Sequence, residues 1–250
     1  MARDTITFQL GTHYLSRVAL RVERLLFTIK EASLEQHPVI HNAALNDLFE
    51  IIKLTEKPEL KGRFLQEFMR IEHALNKSSE LASETDFSAL FNQTQMLSQL
   101  VGPFGGDIYT DPFLHATGLT STGHTSEGEL YAPQLLFWLE SEANTRQKNL
   151  IHWLKQLEPL QDTVQVYLSL LRDTAHFEKI IPENGFYQCP LPHNNKTSCH
   201  LILVRIKKQN AQIPKMQIGH HGLSLRLCEA KTMQEIHDQS SPLELSICEL

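Results

Sequence analysis

Three arginines in one short segment have the spacing of an anion-binding surface. Arg17, Arg21 and Arg24 follow one another at i, i+4 and i+7, so on a helix they share one face. A guanidinium group can hold a carboxylate through two parallel hydrogen bonds, and its aliphatic stem can cover apolar surface. A run of charges is most often a solvated helix face, and the alternative interpretation is a binding surface, which would suit a partner of mixed acidic and apolar character.

A second basic position lies close to a pair of histidines. His220 and His221 precede Gly222 at a predicted turn, and Arg226 follows on the predicted strand. Adjacent imidazoles near a guanidinium can support an anion site, although histidines exposed at a turn are the commoner case. His220 and Arg226 are therefore added to the candidate binding residues.

The last quarter of the chain holds the residues that could bind a metal ion. Cys189, His193, Cys199 and His200 carry the thiolate and imidazole groups that zinc prefers. Their spacing matches no compact zinc motif, and the adjacent Cys199 and His200 would face opposite sides of a strand. We therefore favour two reduced cysteines and two loop histidines, and expect no bound metal.

No catalytic motif accompanies these residues. The sequence has no Walker-type glycine loop, dinucleotide fingerprint, nucleophile elbow or His-Glu-x-x-His helix, so we expect neither an enzyme nor a cofactor. A formal net charge of −6 argues against general coating of nucleic acid, which needs a broad basic surplus. No apolar run approaches the roughly 20 residues of a membrane span, and the N-terminus lacks a signal-peptide core. We expect a cytoplasmic protein that does not insert into membranes.

Helices are predicted to carry the arginines and most of the chain. Apolar residues recur every three or four positions in several segments, each of which predicts a helix. After Pro182 the pattern changes to alternation, which is typical of antiparallel strands. The predicted helices are Tyr14–Lys30, Asn42–Leu54, Pro58–Leu75, Thr85–Val101, Pro133–Glu140, Thr145–Leu157 and Pro159–Leu171, and the predicted strands are Leu201–Ile206, Gly222–Leu227 and Leu243–Ile247.

These patterns predict an α+β fold, with a mainly helical domain and a smaller antiparallel β domain. Residues 1–104 and 132–182 are assigned to the helical domain. The segment between Gly102 and Ala132 is rich in Gly, Thr, Ser and His and has no sustained helical period. We therefore assign 105–131, together with 183–250, to the β-strand domain.

Several motifs occur in an order shared with a known family. They are Ile6-Thr-Phe followed by Arg17 and Arg21-Val-Glu-Arg-Leu-Leu; Asn184-Gly-Phe-Tyr-Gln; Ile213-Pro-Lys-Met-Gln-Ile-Gly-His-His with Leu225-Arg-Leu; and, between them, Pro133–Leu139 and Trp153–Leu160. With these motifs the chain resembles, over nearly its whole length, the ZapD family of bacterial proteins that bind the division GTPase FtsZ.

The resemblance implies a symmetric homodimer that binds the C-terminal tail of FtsZ and cross-links FtsZ filaments into bundles at the midcell division ring. It also implies that basic side chains hold the tail, at Arg17, Arg21, Lys57, Lys61 and Arg226. His220 falls in the Gly-His turn of the family pattern, whereas Arg24 extends the arginine series by geometry alone.

Four positions depart from the family pattern. Leu136 stands where the family has a histidine, and a family arginine near Pro112 is missing. His221 and Gly222 stand where a basic pair commonly follows the Gly-His turn. We therefore expect a tail-binding surface that is weaker or redistributed in this chain.

Two other functions stay open from the residues alone. The arginines of the first helix could serve a nucleic-acid binding module, although the chain is acidic overall and lacks an aromatic-interleaved basic groove. Cys189, His193, Cys199 and His200 could serve a metal-dependent enzyme. A gel shift at low salt tests the first alternative, and metal analysis of the purified protein tests the second.

Overall fold

The secondary structure is helical in the first two thirds of the chain and β-stranded in the last third, apart from one strand at the N-terminus. The computed structural model describes residues 4–56, 58–77, 84–118, 133–191, 198–237 and 241–249. It confirms the α+β class, with eight α-helices among the described residues and two antiparallel sheets. The chain divides into a β unit, Met1–Val18 with Leu168–Leu250, and a helical unit, Ala19–Tyr167.

Amphipathic helices build the helical unit around buried aromatic side chains. Phe64, Phe68, Phe104 and Tyr167 are fully buried, and the ring of Phe64 lies 6.2, 6.4 and 5.6 Å from those of Phe68, Phe104 and Tyr167. None of the described helices is both long and apolar enough to cross a membrane. The helices are α1 (Tyr14–Ala32), α2 (Pro38–Thr55), α3 (Glu59–Lys77), α4 (Glu84–Gln99), α5 (Pro112–Gly118), α6 (Pro133–Leu139), α7 (Ala143–Gln156) and α8 (Glu158–Asp173).

The turn-rich segment after Gly102 is helical and belongs to the helical unit. Gly106–Thr110 forms a 3-10 helix that leads into α5, and Ile108 and Leu114 are buried. The assignment of 105–131 to the β-strand domain is therefore wrong for 105–118, and 119–131 lie outside the described residues. These two helices are only 5 and 7 residues long, too short to display a helical period among the glycines and threonines.

Two antiparallel sheets make up the β unit. Their strands are β1 (Thr5–Gly11), β2 (Glu178–Ile180), β3 (Phe186–Cys189), β4 (Cys199–Lys207), β5 (Gln212–Gly219), β6 (Gly222–Glu229) and β7 (Leu243–Glu249). The four-stranded sheet has the order β1-β4-β7-β2, and the three-stranded sheet has the order β3-β6-β5. Alternate residues of the two sheets pack into one core: Ile202, Val204, Ile206, Leu223, Leu225, Leu227, Leu243 and Leu245.

The central strand β4 is buried on both of its faces. All of Leu201–Val204 is buried, which accounts for a continuous apolar run where a half-exposed strand would alternate. Near the end of α8, Arg172 donates a hydrogen bond to Oε1 of Gln9 on the neighbouring strand β1.

Strand β1 contradicts the assignment of residues 1–104 to the helical domain. Thr5–Gly11 pairs with β4 along its whole length, from Thr5 opposite Lys207 to Gly11 opposite Leu201. Strand β2 similarly brings 178–180, assigned above to the helical domain, into the same sheet through β7. Both are edge strands whose partners are distant in sequence, so the local pattern alone does not reveal the pairing.

Candidate partner-binding site

The three arginines of α1 lie on its exposed face. Arg17, Arg21 and Arg24, which we call the arginine ridge, are all exposed to solvent. The opposite side of the helix is buried and holds the periodic apolar residues Leu15, Val18, Val22, Leu25, Leu26 and Ile29. The spacing that suggested a basic face therefore corresponds to accessible guanidinium groups.

An internal carboxylate already occupies the middle of the arginine ridge. Arg21 donates from Nε to Oε1 of Glu50, which lies on α2. This hydrogen bond, and then the negative charge of Glu50, raise the pKa of Arg21. The two side chains are 60% and 35% exposed, and solvent screening limits such a pair to about 0–1 kcal/mol. An external carboxylate can therefore compete with Glu50 for this arginine.

Arg17 and Arg24, at the two ends of the arginine ridge, have weaker contacts among the described residues than Arg21 has. Within the described ranges, the side chain of Arg17 makes no hydrogen bond or ion pair. The guanidinium of Arg24 lies 5.9 Å from the ring centroid of Phe27, a side chain that is 52% exposed. Together Arg24 and Phe27 present a cation beside an apolar surface, which suits a partner with both acidic and apolar residues.

Lys61 has an internal role, and Lys57 lies outside the described residues. The Lys61 ammonium donates hydrogen bonds to the carbonyl oxygens of Leu100 and Gly102, at 2.6 and 2.8 Å. These carbonyls follow the last residue of α4, where backbone acceptors have no partner within the helix. Lys61 thus stabilises the end of α4, and its contact with a partner stays a prediction.

His220 lies in the tight turn between β5 and β6. Gly219 pairs with Gly222, so His220 and His221 form a two-residue connection, and both are exposed. Gly222 has a φ of 100°, and a Cβ there would lie 2.3 Å from the carbonyl oxygen of Cys189. Only glycine fits this approach without strain. The turn is therefore fixed against the end of β3, with the imidazoles in solvent.

Arg226 lies on the outer face of the three-stranded sheet, in a group that the sequence did not reveal. Its guanidinium is 4.9 Å from the ring centroid of Phe186 on β3 and 3.2 Å from Oε2 of Glu235. Lys215 of β5 is directly opposite Arg226 in the strand register. The alternating pattern of each strand indicates which of its residues face outward. Only the register between β5 and β6, however, places Lys215 opposite Arg226.

An apolar cavity opens in the helical unit next to two of the positions that depart from the family pattern. Its volume is about 560 Å³, and Phe113, Pro133, Phe137 and Trp138 are among the residues that line it. Phe113 follows Pro112, and Phe137 follows Leu136, in the sequence. Since the side chain of Phe137 is 80% exposed, this surface suits an apolar group better than a charged one.

A buried arginine holds the connection between α6 and α7 beside this cavity. Arg146 is 4% exposed and donates to the carbonyl oxygens of Gln36, Leu139 and Ser141 and to Nδ1 of His41. Burial is the main cause that lowers the pKa of His41, consistent with a neutral ring that accepts from Arg146. No sequence motif signals this network, because its acceptors come from two segments about a hundred residues apart, Gln36 and His41 in one and Leu139 and Ser141 in the other.

The proposed metal ligands do not form a cluster among the described residues. His193 lies outside them, Cys189 lies on β3 of one sheet, and Cys199 and His200 lie on β4 of the other. Burial raises the pKa of both thiols, which disfavours the thiolate that a metal ion requires. His200 is buried and stacks on His13 with ring centroids 4.6 Å apart. In the described part of the chain no group of three potential ligands could hold a metal ion.

The described candidates therefore fall into two groups. Arg21, Arg24 and Lys61 belong to the helical unit, and Arg17, His220 and Arg226 belong to the β unit. The arginine ridge is continuous because α1 runs unbroken from Tyr14 to Ala32. In each group one arginine pairs with an internal carboxylate, Arg21 with Glu50 and Arg226 with Glu235.

Comparison with known proteins gives a consistent family. The ZapD model, described as a cell division protein, matches residues 20–226. The Cell division protein ZapD of Azoarcus sp. (strain BH72) is 25% identical, over 94% of this chain and 95% of that protein. The protein of the same name from Chromobacterium violaceum is 27% identical over 91% of both chains, and that from Coxiella burnetii (strain RSA 493 / Nine Mile phase I) is 25% identical over 90% and 89%. The chain belongs to the ZapD family of cell division proteins.

Proposed function

We propose that this protein is a non-catalytic cross-linker of FtsZ filaments. Each protomer of a homodimer binds one FtsZ C-terminal tail, and two tails join two filaments at the midcell division ring. Membership of the ZapD family supports a role in cell division, and the exposed arginine ridge supports an acidic partner. The ridge is the observation that carries the proposal, because it offers guanidinium groups to carboxylates at the surface of a chain with a net charge of −6.

The tail is held by charge and by apolar contact. Arg17 and Arg21 bind its carboxylates, while Arg24 with Phe27 presents cationic and apolar surface together. The apolar cavity beside Trp138 provides a second place for apolar tail residues. A single contact of this kind need only be micromolar, about 8 kcal/mol, since many tethers along a filament add avidity.

Co-sedimentation with FtsZ tests the proposal. We expect Arg17→Glu combined with Arg21→Glu to abolish bundling, because the change replaces two attractive charges by two repulsive ones. Lys30→Glu combined with Lys155→Glu is the matched control: it makes the same change in net charge at two other exposed cations. Bundling by the arginine variant equal to that of the control would refute the role of the ridge.

A pull-down identifies the partner segment. Full-length FtsZ should be retained, and FtsZ without its C-terminal tail should not. Retention should weaken with added salt, because exposed charges are screened beyond about 8 Å at physiological ionic strength. Equal capture of both FtsZ forms would exclude the tail as the binding element.

A further inference from the structure

The four-stranded sheet carries charged side chains on the face that points away from the core it shares with the other sheet. Arg205 of β4 lies opposite Glu244 of β7, and Glu244 lies opposite Lys179 of β2. Val204 points into the core, and side chains alternate along a strand, so Arg205 and Lys207 point away from it. Strand register therefore gathers three cations and one carboxylate on one face.

These side chains line one cavity. Its volume is about 220 Å³, and Thr5, Lys179, Arg205, Lys207 and Glu244 are among its lining residues. Three cations and one carboxylate give the described lining a net charge of +2. Thr5, which lies opposite Lys207 in the strand register, adds a hydroxyl group that can donate a hydrogen bond to an anion.

The three cations differ in how firmly they are held. The guanidinium of Arg205 lies 3.7 Å from the ring centroid of Phe177, and its Nη1 is 3.1 Å from Oε2 of Glu244. Among the described residues, the ammonium groups of Lys179 and Lys207 make no hydrogen bond or ion pair. The ring and the carboxylate thus position the guanidinium, whereas the charges of the two lysines are available to a ligand.

The charge and the size of the cavity select a phosphoryl group. A phosphomonoester carries a charge of about −1.5 to −2 at pH 7, close to the +2 of the lining, whereas a carboxylate balances only half of it. A guanidinium fork matches phosphate oxygens, and lysine ammonium groups bind phosphate as point charges. The volume of about 220 Å³ is several times the roughly 30 Å³ that one water molecule occupies in the liquid, which leaves room for a tetrahedral group and the atoms next to it.

We propose that Lys179, Arg205 and Lys207 form a binding site for the phosphoryl group of a phosphomonoester. Lys179 and Lys207 supply the unpaired charge, and the ligand competes with Glu244 for the fork of Arg205. The site lies on a different sheet from Arg226, so it is a ligand site in addition to the partner contacts proposed above. The phosphomonoester is either a soluble metabolite or the headgroup of phosphatidic acid, which share this chemistry.

Isothermal titration calorimetry of the full-length protein with glycerol 3-phosphate, at constant ionic strength, tests the site. The wild-type protein should bind saturably, and Lys179→Gln combined with Lys207→Gln should raise Kd about tenfold or more, the loss typical of a hydrogen bond between charged groups. Lys30→Gln combined with Lys155→Gln is the matched control, since it removes two other exposed cations. Equal Kd values for the two double variants would overturn the site.

The carboxylate of the cavity provides a test of the opposite sign. Glu244→Gln removes the internal competitor for Arg205 and should tighten binding of glycerol 3-phosphate about fivefold, the upper range for one exposed charge contact. Glu178→Gln is the control, because it removes an exposed charge from the neighbouring position of β2, which points to the other face. Unchanged or weaker binding by Glu244→Gln would contradict competition in this cavity.

Two further probes identify the ligand class and its source. Sodium acetate should bind more weakly than glycerol 3-phosphate, and equal affinity would overturn the choice of a phosphoryl group. Co-sedimentation with phosphatidylcholine vesicles, with and without phosphatidic acid, separates the two sources. Binding to the phosphatidic acid vesicles that is lost in the Lys179→Gln, Lys207→Gln variant assigns the site to a lipid headgroup, and binding of glycerol 3-phosphate alone assigns it to a soluble ester. Failure of the wild-type protein to bind either phosphomonoester overturns the proposal.

Discussion

Removing Glu50 should strengthen binding to an acidic partner rather than weaken it. Glu50 occupies the Nε of Arg21 in the folded protein, so a partner carboxylate must displace it. Glu50→Gln keeps the size of the side chain and removes its charge. The variant therefore makes Arg21 available without altering the helix that carries it.

The expected gain follows from the exposure of the pair. With side chains 60% and 35% exposed, the internal ion pair contributes about 0.2–1 kcal/mol in measured cases of this kind. A unit negative charge about 8 Å from a bound carboxylate adds roughly 0.5 kcal/mol of repulsion in water before salt screening. Together the two effects amount to about 1 kcal/mol. This energy corresponds to an affinity for the tail peptide that is about fivefold tighter than that of the wild-type protein.

The assay is anisotropy with the tail peptide at constant ionic strength, with two comparisons. Glu31→Gln removes an exposed negative charge from α1 itself and should change Kd less. In an Arg21→Gln background, Glu50→Gln should lose most of its effect, because no cation is left to release. Weaker binding by Glu50→Gln, or the same gain with Arg21→Gln present, would refute competition between Glu50 and the partner.

Three further predictions concern the structure that supports the site. Arg146→Met should lower the free energy of unfolding by about 3–5 kcal/mol in urea titrations, since its buried acceptors lose their donor; a loss below about 1 kcal/mol would contradict this role. Burial lowers the pKa of His41, so the unfolded state binds the proton more tightly than the folded state does. The free energy of unfolding should therefore keep its highest value above a pH of about 6.5 and decrease below that pH. His41→Gln should flatten that pH dependence, and an unchanged slope would assign it to other groups. Lys61→Met should lower stability by about 1–2 kcal/mol through its lost hydrogen bonds, and a tail-binding measurement on the folded variant separates this role from the predicted partner contact.

Local periodicity was sufficient for the elements that bury one regular face. Phe64 and Phe68 stand one helical turn apart and both point into the core of the helical unit, as the 3.6-residue period predicts. The alternating Leu223, Leu225 and Leu227 likewise form the inner face of β6. In both cases the buried side is encoded within about ten consecutive residues, so no knowledge of the partner element is needed.

Features that depend on distant partners could not be predicted in this way. Strand β1 is stabilised by β4, almost two hundred positions later in the chain, and its 7 residues alone give a weak pattern. The Arg21–Glu50 pair joins two helices, and the opposition of Lys215 and Arg226 depends on strand register. The sequence therefore predicted which arginines are exposed, but not which carboxylates compete for them.

Those internal carboxylates explain how a locally basic surface can belong to an acidic protein. Arg21 pairs with Glu50 in the helical unit, and Arg226 pairs with Glu235 in the β unit. Each pair is partly exposed, so exchange for an external carboxylate costs little, whereas the net charge of −6 repels polyanions that lack a fitting apolar part. Such contacts are individually weak and quickly reversible. Because avidity multiplies weak contacts along a polymer, we expect binding to depend steeply on the density of tails and only modestly on the loss of any single charge contact.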